Sequence, residues 1–180
     1  TSSQFGGLSS DVLPALTTTQ LAVLKATQLA GLRRTAIEAM DATQIAALTT
    51  TQFAAFTVGV MAGLSADDIT AISDTQVAAL TATQLGGLSS DPIGALTTTR
   101  ISQLTAAQFA GLTSLQFGAM SSEQIASLAT TRMTSMTTTQ IKGISSSGAA
   151  GLTETQIARF TATQMGALTA TALAALDPAL

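Results

Sequence analysis

Apolar residues recur at two fixed positions of an eight-residue unit along the whole chain. Divided as Thr1–Leu8, Ser9–Leu16 and onward, the sequence gives 22 octads without an insertion, followed by Asp177–Leu180. The eighth position is apolar in every octad, and so is the fifth, where Ala149 is the smallest residue. A short period without gaps predicts a solenoid, in which each repeat packs against its neighbours. We therefore predict a single octapeptide-repeat solenoid over residues 1–180.

The first and fourth positions carry signals for the start of a helix. Position 1 is Thr, Ser or Asp in almost every octad, and position 4 is Gln in 13 of the 22, as in Thr17–Leu24 and Asp41–Leu48. Ser or Thr followed three residues later by Gln is a capping box, in which each side chain satisfies a backbone N–H of the other residue. The preceding position 8 is placed to contact position 5 as a hydrophobic staple. Each octad is thus predicted to form one very short helix.

The predicted class is an all-α solenoid with positions 5 and 8 in the core. Small residues at positions 6 and 7 are expected to allow neighbouring helices to approach closely. One continuous helix is disfavoured, since eight residues at ~100° each would rotate the apolar stripe by ~80° per octad. A β-solenoid is the alternative, because Thr-x-Thr patterns suit strands. Two octads per coil is the favoured arrangement, with three octads per coil as the alternative.

Several octads depart from the consensus. Pro14 lies deep in its octad and predicts that Ser9–Leu16 is distorted or begins its helix late. Ser145–Leu152 has lost both the Gln and the large apolar residue, so it is expected to be the loosest interior octad. Thr57–Leu64 also lacks the Gln. Pro178 suits the first position of a further helix.

Composition excludes several functions. The chain has 7 Lys+Arg and no Tyr or Trp, so it lacks the basic stripe and stacking platforms of a nucleic-acid binder. No apolar run approaches the ~18–20 residues that span a bilayer, so no membrane insertion is expected. His and Cys are absent. Hydroxyls without a base or an orienting partner do not make a nucleophile, so we predict no enzyme, no catalytic residues and no cofactor.

The charged residues are interpreted as surface. Asp11, Asp67 and Asp91 share position 3 of their octads, and Asp68 follows one of them; these carboxylates are candidates for a hard cation. Acidic residues are also favoured in the first turn of a helix, so no metal site is predicted. Arg34 and a carboxylate four residues later are expected to form a surface ion pair. The Phe and Met residues all occupy positions 5 or 8 and are assigned to the core.

Positions 1 to 4 are expected to project rows of Thr, Ser and Gln on an outer face with little charge. Such a face could pack against copies of itself, because desolvating it costs less than desolvating charges. Tandem tracts of the Thr-Thr-Gln-Ile-Ala-Ala-Leu type, as in Thr43–Leu48 and Thr49–Phe56, resemble octapeptide tracts of large secreted or surface bacterial proteins, including adhesin-like ones. The resemblance implies a stalk, fibre or extracellular appendage at the cell surface.

The functional expectation is therefore a structural protein that is the subunit or spacer of an extracellular filament. Its expected partners are copies of itself, associating end to end or laterally. An ice-binding or other surface-binding module that uses the Thr and Gln rows is the alternative. Because the chain begins with Thr1 in register with the repeat, it is expected to be a processed product or an internal section of a longer protein.

Overall fold

A computed structural model of the chain describes residues 12–176, which fold into very short helices stacked as an all-helical repeat solenoid within each of two units. Nearly every octad contributes one helix of four to six residues, and the described residues contain no β-strand. The predicted fold class is confirmed, and the β-solenoid alternative is wrong for this part of the chain. The chain divides into two compact units, Thr1–Ala95 and Leu96–Leu180, and each is described by itself.

The helices of the first unit are α1 Thr18–Ala22, α2 Ala26–Leu29, α3 Arg34–Glu38, α4 Ala42–Ala46, α5 Thr50–Ala54, α6 Val58–Met61, α7 Ala66–Ala71, α8 Asp74–Ala79, α9 Ala82–Gly87 and α10 Ser90–Gly94. The helices of the second unit are α11 Thr98–Gln103, α12 Ala106–Ala110, α13 Ser114–Ala119, α14 Ser122–Ala126, α15 Thr130–Ser135, α16 Thr138–Gly143, α17 Ser146–Ala149, α18 Glu154–Ile157, α19 Ala162–Met165 and α20 Ala170–Ala174.

Position 1 is the N-cap of each helix, as the sequence predicts. Thr81 is representative: its backbone is extended, and its Oγ1 accepts a hydrogen bond of 3.1 Å from the N–H of Gln84. The Gln84 Oε1 in turn accepts the Thr81 N–H at 2.9 Å. Arg33 and Ala129 occupy the same position without a side-chain cap. Reciprocal capping therefore explains why a helix restarts every eight residues in most octads.

Positions 5 and 8 form the core. Position 5 is buried in every octad from Leu13 to Ala149, and position 8 is buried in every octad from Leu32 to Leu152. Near the end of the described chain burial decreases: Phe160 and Met165 are half-buried, and Leu173 is 43% exposed. The core assignment is confirmed for the described Phe and Met residues except these two, which are only partly covered.

Stacking brings each helix against the third helix after it, in both units. Position 7 is the point of closest approach. A Cβ on Gly143 would overlap the backbone of Ser114, and one on Gly151 would overlap the backbone of Ser122. In the first unit a Cβ on Gly63 would lie 3.0 Å from the backbone oxygen of Arg34. Small residues at position 7 thus allow helices of successive coils to touch.

The irregular octads differ among themselves. Residues 12–16, which include Pro14, form turns instead of a helix. Ser146–Ala149 is a helix of four residues whose Ala149 is completely buried. Pro178 and the first octad, Thr1–Leu8, lie outside the described residues.

Candidate functional site

The position-4 glutamine joins successive coils of the solenoid. Gln84 is 4% exposed, and its Oε1 is used by the capping box. Its Nε2 donates to the backbone oxygens of Phe53, at 2.8 Å, and Phe56, at 3.0 Å. Both acceptors lie at the C-terminal end of the octad four octads earlier. One side chain therefore caps its own helix and donates to carbonyl groups at the end of another. The Phe53 oxygen also accepts the Phe56 N–H, so the latch adds a second donor to it.

We call this arrangement the glutamine latch: a position-4 Gln whose Nε2 donates to carbonyl oxygens of the octad four octads earlier. The donor–acceptor distances range from 2.5 Å in Gln76–Leu48 to 3.5 Å in Gln164–Thr134. Latches are formed by Gln44, Gln52, Gln76 and Gln84 in the first unit and by Gln124, Gln140, Gln156 and Gln164 in the second.

The latch contacts indicate how many octads make up one coil. Its donors and acceptors are 28 to 31 residues apart in sequence. The close approach of Gly143 to Ser114 links position 7 to position 2 of the third preceding octad. Within each unit a coil thus takes between three and four octads. The favoured arrangement of two octads per coil is therefore wrong, since each helix contacts the third helix after it.

The latch also corrects the predicted outer face. Position 4 was expected to project outward, but the latch glutamines are between 1% and 6% exposed. A signal for their burial exists in the sequence. A capping box accepts Glu as readily as Gln, yet position 4 is never Glu in this chain. The preference for Gln over Glu is consistent with a second function of the side chain, donation from its NH2 group.

Arg132 shows that a different donor can take the same place. It occupies position 4 of its octad, and its Nη2 donates to the backbone oxygen of Leu104, 28 residues earlier, at 2.5 Å. Its guanidinium also lies 5.4 Å from the centroid of the Phe109 ring, within range of a cation–π interaction. A guanidinium at position 4 can therefore reach the preceding coil as the glutamine amide does.

The outer surface is carried by position 3. This residue is exposed in every described octad from Thr19 to Thr171, and in most of them it is Thr. Several of these hydroxyls pair with the N-cap hydroxyl, as in Ser73–Thr75 at 2.8 Å. Leu115 is an apolar exception and is 78% exposed. We call the position-3 residues the outer ridge; they form a regular surface that is mainly uncharged.

The acidic candidates do not assemble into a metal site. Asp67 and Asp91 are exposed, while Asp68 is buried and accepts hydrogen bonds from Ser65. No group of three potential ligands occurs in the described part of the chain, and Asp11 lies outside it. Hydrogen bonds from its own backbone N–H and from the hydroxyls of nearby serines lower the pKa of exposed Glu123. This shift reflects its place in a first helical turn.

The predicted ion pair is present, with Arg34 Nε 2.7 Å from the Glu38 carboxylate. Both side chains are well exposed, so its contribution to stability is small. A shallow groove of about 460 Å³ lies between α13 and α16 and is lined by Leu115, Gly118, Lys142 and their neighbours. The close contact at Gly143 forms part of its wall.

No protein-family model matches the chain, and no curated protein matches its sequence. Over residues 12–176, none of the helices has the length and apolar character needed to cross a bilayer.

Proposed function

We propose that this chain is a structural protein, a repeat solenoid that serves as the subunit or spacer of an extracellular filament, fibre or adhesin stalk. The observation that carries the proposal is the glutamine latch. In the described residues no buried side-chain nitrogen or oxygen lacks a hydrogen-bond partner. The buried latch glutamines join coil to coil, which is the property expected of a structural element.

The latch supports this proposal energetically. Gln156 alone connects its octad to the backbone oxygens of Ile125 and Leu128, at 2.9 and 2.8 Å. A buried amide–carbonyl hydrogen bond contributes about 0.5–1.5 kcal/mol net. Because latches recur along each unit, hydrogen bonds and apolar stacking both oppose separation of neighbouring coils. A globular binding domain has no need of such repetition.

The proposed partners are further copies of the chain, associating end to end or laterally outside the cell. The low content of charged residues, 9%, and the hydroxyl-rich outer ridge support lateral contact, because such a surface is less costly to desolvate than a charged one.

Sedimentation velocity and negative-stain electron microscopy over a range of concentrations test this proposal. We expect concentration-dependent filaments or bundles. The variant T51K/T83K places two charges on exposed ridge positions without touching a buried residue, and it is expected to reduce lateral bundling; its control is T51S/T83S. Monomers at every concentration would contradict self-association.

Ice binding is a second candidate, and the outer ridge favours it. Regular exposed Thr side chains offer a methyl and a hydroxyl group at repeated positions, whereas the buried latch glutamines are unsuited to a surface role. Thermal hysteresis of the purified chain tests this function. A measurable freezing-point gap that falls in T51K/T83K would support it, and the absence of a gap in the parent chain would exclude it.

A further inference from the structure

We propose that the octads Arg33–Met40 and Thr57–Leu64 form a seam, a place in the first unit that opens locally before its latched coils do. The two octads are stacked on each other. Their helices α3 and α6 are in contact, and the absence of a side chain on Gly63 lets the later octad rest on the Arg34 backbone. The proposal rests on what these octads lack at position 4.

Neither octad donates a latch to an earlier coil. Position 4 is Ala36 in one and Val60 in the other, and neither side chain carries a hydrogen-bond donor. The Val60 side chain is 1% exposed, so it fills the place of a latch amide with apolar atoms. Thr57–Leu64 is therefore held to the preceding coil without a latch.

Neither octad receives a latch from the following coil. The residue placed to reach the end of Arg33–Met40 is Asp68, whose side chain accepts hydrogen bonds from Ser65 and has no NH2 group to donate. The residue placed to reach the end of Thr57–Leu64 is Pro92, whose side chain has no donor. Hydrogen bonding between coils is thus interrupted on both sides of the seam.

The helices of the seam also lack a capping box at their N-termini. Arg33 provides no side-chain cap for α3. Thr57 caps α6 with its hydroxyl, but no capping box forms because position 4 is Val60. Helix α6 has four residues, and one of them is Gly59. Glycine within a helix costs about 0.5–1 kcal/mol relative to alanine.

The octads next to the seam, in contrast, form latches. Latches from Gln44 and Gln52 lie between the two seam octads in sequence, and latches from Gln76 and Gln84 follow them. The stability of a solenoid is approximately a sum of repeat and nearest-neighbour interface terms, so opening occurs first where both are smallest. In a filament or stalk, the seam would be a built-in point of extension; that role, unlike the opening itself, rests on the proposed function.

Native-state hydrogen exchange followed by mass spectrometry tests the seam on the monomeric 180-residue chain. Peptides covering 33–40 and 57–64 are expected to exchange faster than the latched helices α4, α5, α8 and α9. The variant D68Q retains the capping acceptor and adds an amide that can reach the preceding coil. Each restored latch is expected to slow exchange of the seam on the order of tenfold.

The double variant V60Q/D68Q is expected to slow exchange further, while T51Q, which places the same side chain on the exposed outer ridge, is expected to leave it unchanged. Equal protection of the seam and the latched helices in the parent chain would overturn the proposal. So would a folded D68Q chain whose seam exchanges at the parental rate. Because the measurement is made on monomers, failure of self-association does not alter its outcome.

Discussion

Replacing one latch glutamine by glutamate tests the contribution of its NH2 group, which donates to carbonyl oxygens of the preceding coil. Gln156 is 1% exposed, and its Oε1 accepts the Thr153 N–H at 3.0 Å. Glutamate at this position keeps that acceptor and nearly the same shape. It replaces the NH2 group by an oxygen that faces the carbonyl oxygens of Ile125 and Leu128. Q156E therefore preserves the cap of its own helix and removes the connection between coils.

The expected loss of stability is large for a single-atom change. Two hydrogen bonds disappear. The Ile125 oxygen still accepts the Leu128 N–H, whereas the Leu128 oxygen loses its latch donor, and a buried carbonyl without a partner costs about 1–3 kcal/mol. The new carboxylate is also buried without a cation, and unpaired buried charges typically cost about 3–5 kcal/mol. Since these contributions overlap, we expect Q156E to lower the free energy of unfolding by about 3–5 kcal/mol at neutral pH.

The loss of stability in Q156E is expected to depend on pH. Burial next to carbonyl oxygens raises the pKa of the introduced carboxyl above its usual range in the folded state. The folded variant then binds more protons than the unfolded chain, so its stability rises as the pH falls through that raised pKa. A protonated carboxyl can donate to a carbonyl, which partly restores the latch.

Urea denaturation followed by circular dichroism at 222 nm measures the effect between pH 4 and pH 8. Q20E is the matched control, because Gln20 has the same capping contact at 2.9 Å but is exposed. Its stability is expected to change by less than about 0.5 kcal/mol. Equal effects of Q156E and Q20E would refute the latch, and so would a Q156E deficit that does not diminish on acidification.

Further predictions concern close packing at glycines, the arginine in place of a latch glutamine, and the titration of Glu123. G143A is expected to lower the stability measured by thermal denaturation by about 1–3 kcal/mol, because its Cβ would overlap Ser114. A Cβ in G59A would meet only the Thr57 hydroxyl, at 3.8 Å, so this variant is expected to gain up to about 1 kcal/mol. A loss of stability in both variants would contradict this account. R132Q is expected to retain stability in the same assay because glutamine can donate to the same carbonyl, while R132M is expected to lose it; equal losses would argue against donor selection. Since the folded pKa of Glu123 lies below its ordinary value of 4.5, its contribution is present above that value and lost as the pH falls through the folded pKa. E123Q should therefore lose less stability than the parent chain on acidification in a pH titration of the urea midpoint, and an identical pH dependence would contradict the interpretation.

The sequence was sufficient to predict the local structure. A capping box depends on residues three positions apart, and a staple on residues four or five apart, so both are visible in a single octad. The N-caps at Thr81 and Thr161 and the buried positions at Phe53 and Ile125 follow directly from that local pattern. The distortion of the octad that contains Pro14 was also predicted, and residues 12–16 form turns.

The size of a coil was not predictable from the same pattern. It depends on the angle between consecutive helices and on contacts 28 to 31 residues apart, such as those of Gln140 with Leu112 and Phe109. Nothing within one octad specifies that angle. The absence of Glu from position 4 could have revealed that the glutamine donates as well as accepts. It could not have shown which carbonyl group receives the bond.

The central claim is that each latch amide contacts the octad four octads earlier. Nuclear Overhauser effects from the side-chain NH2 protons of Gln156 and Gln164 measure this contact most directly. The account predicts cross-peaks to backbone protons near Leu128 and Met136, 28 residues earlier in each case. Cross-peaks to residues about 16 or 24 positions earlier, or amide protons that exchange as freely as those of Gln20, would contradict it.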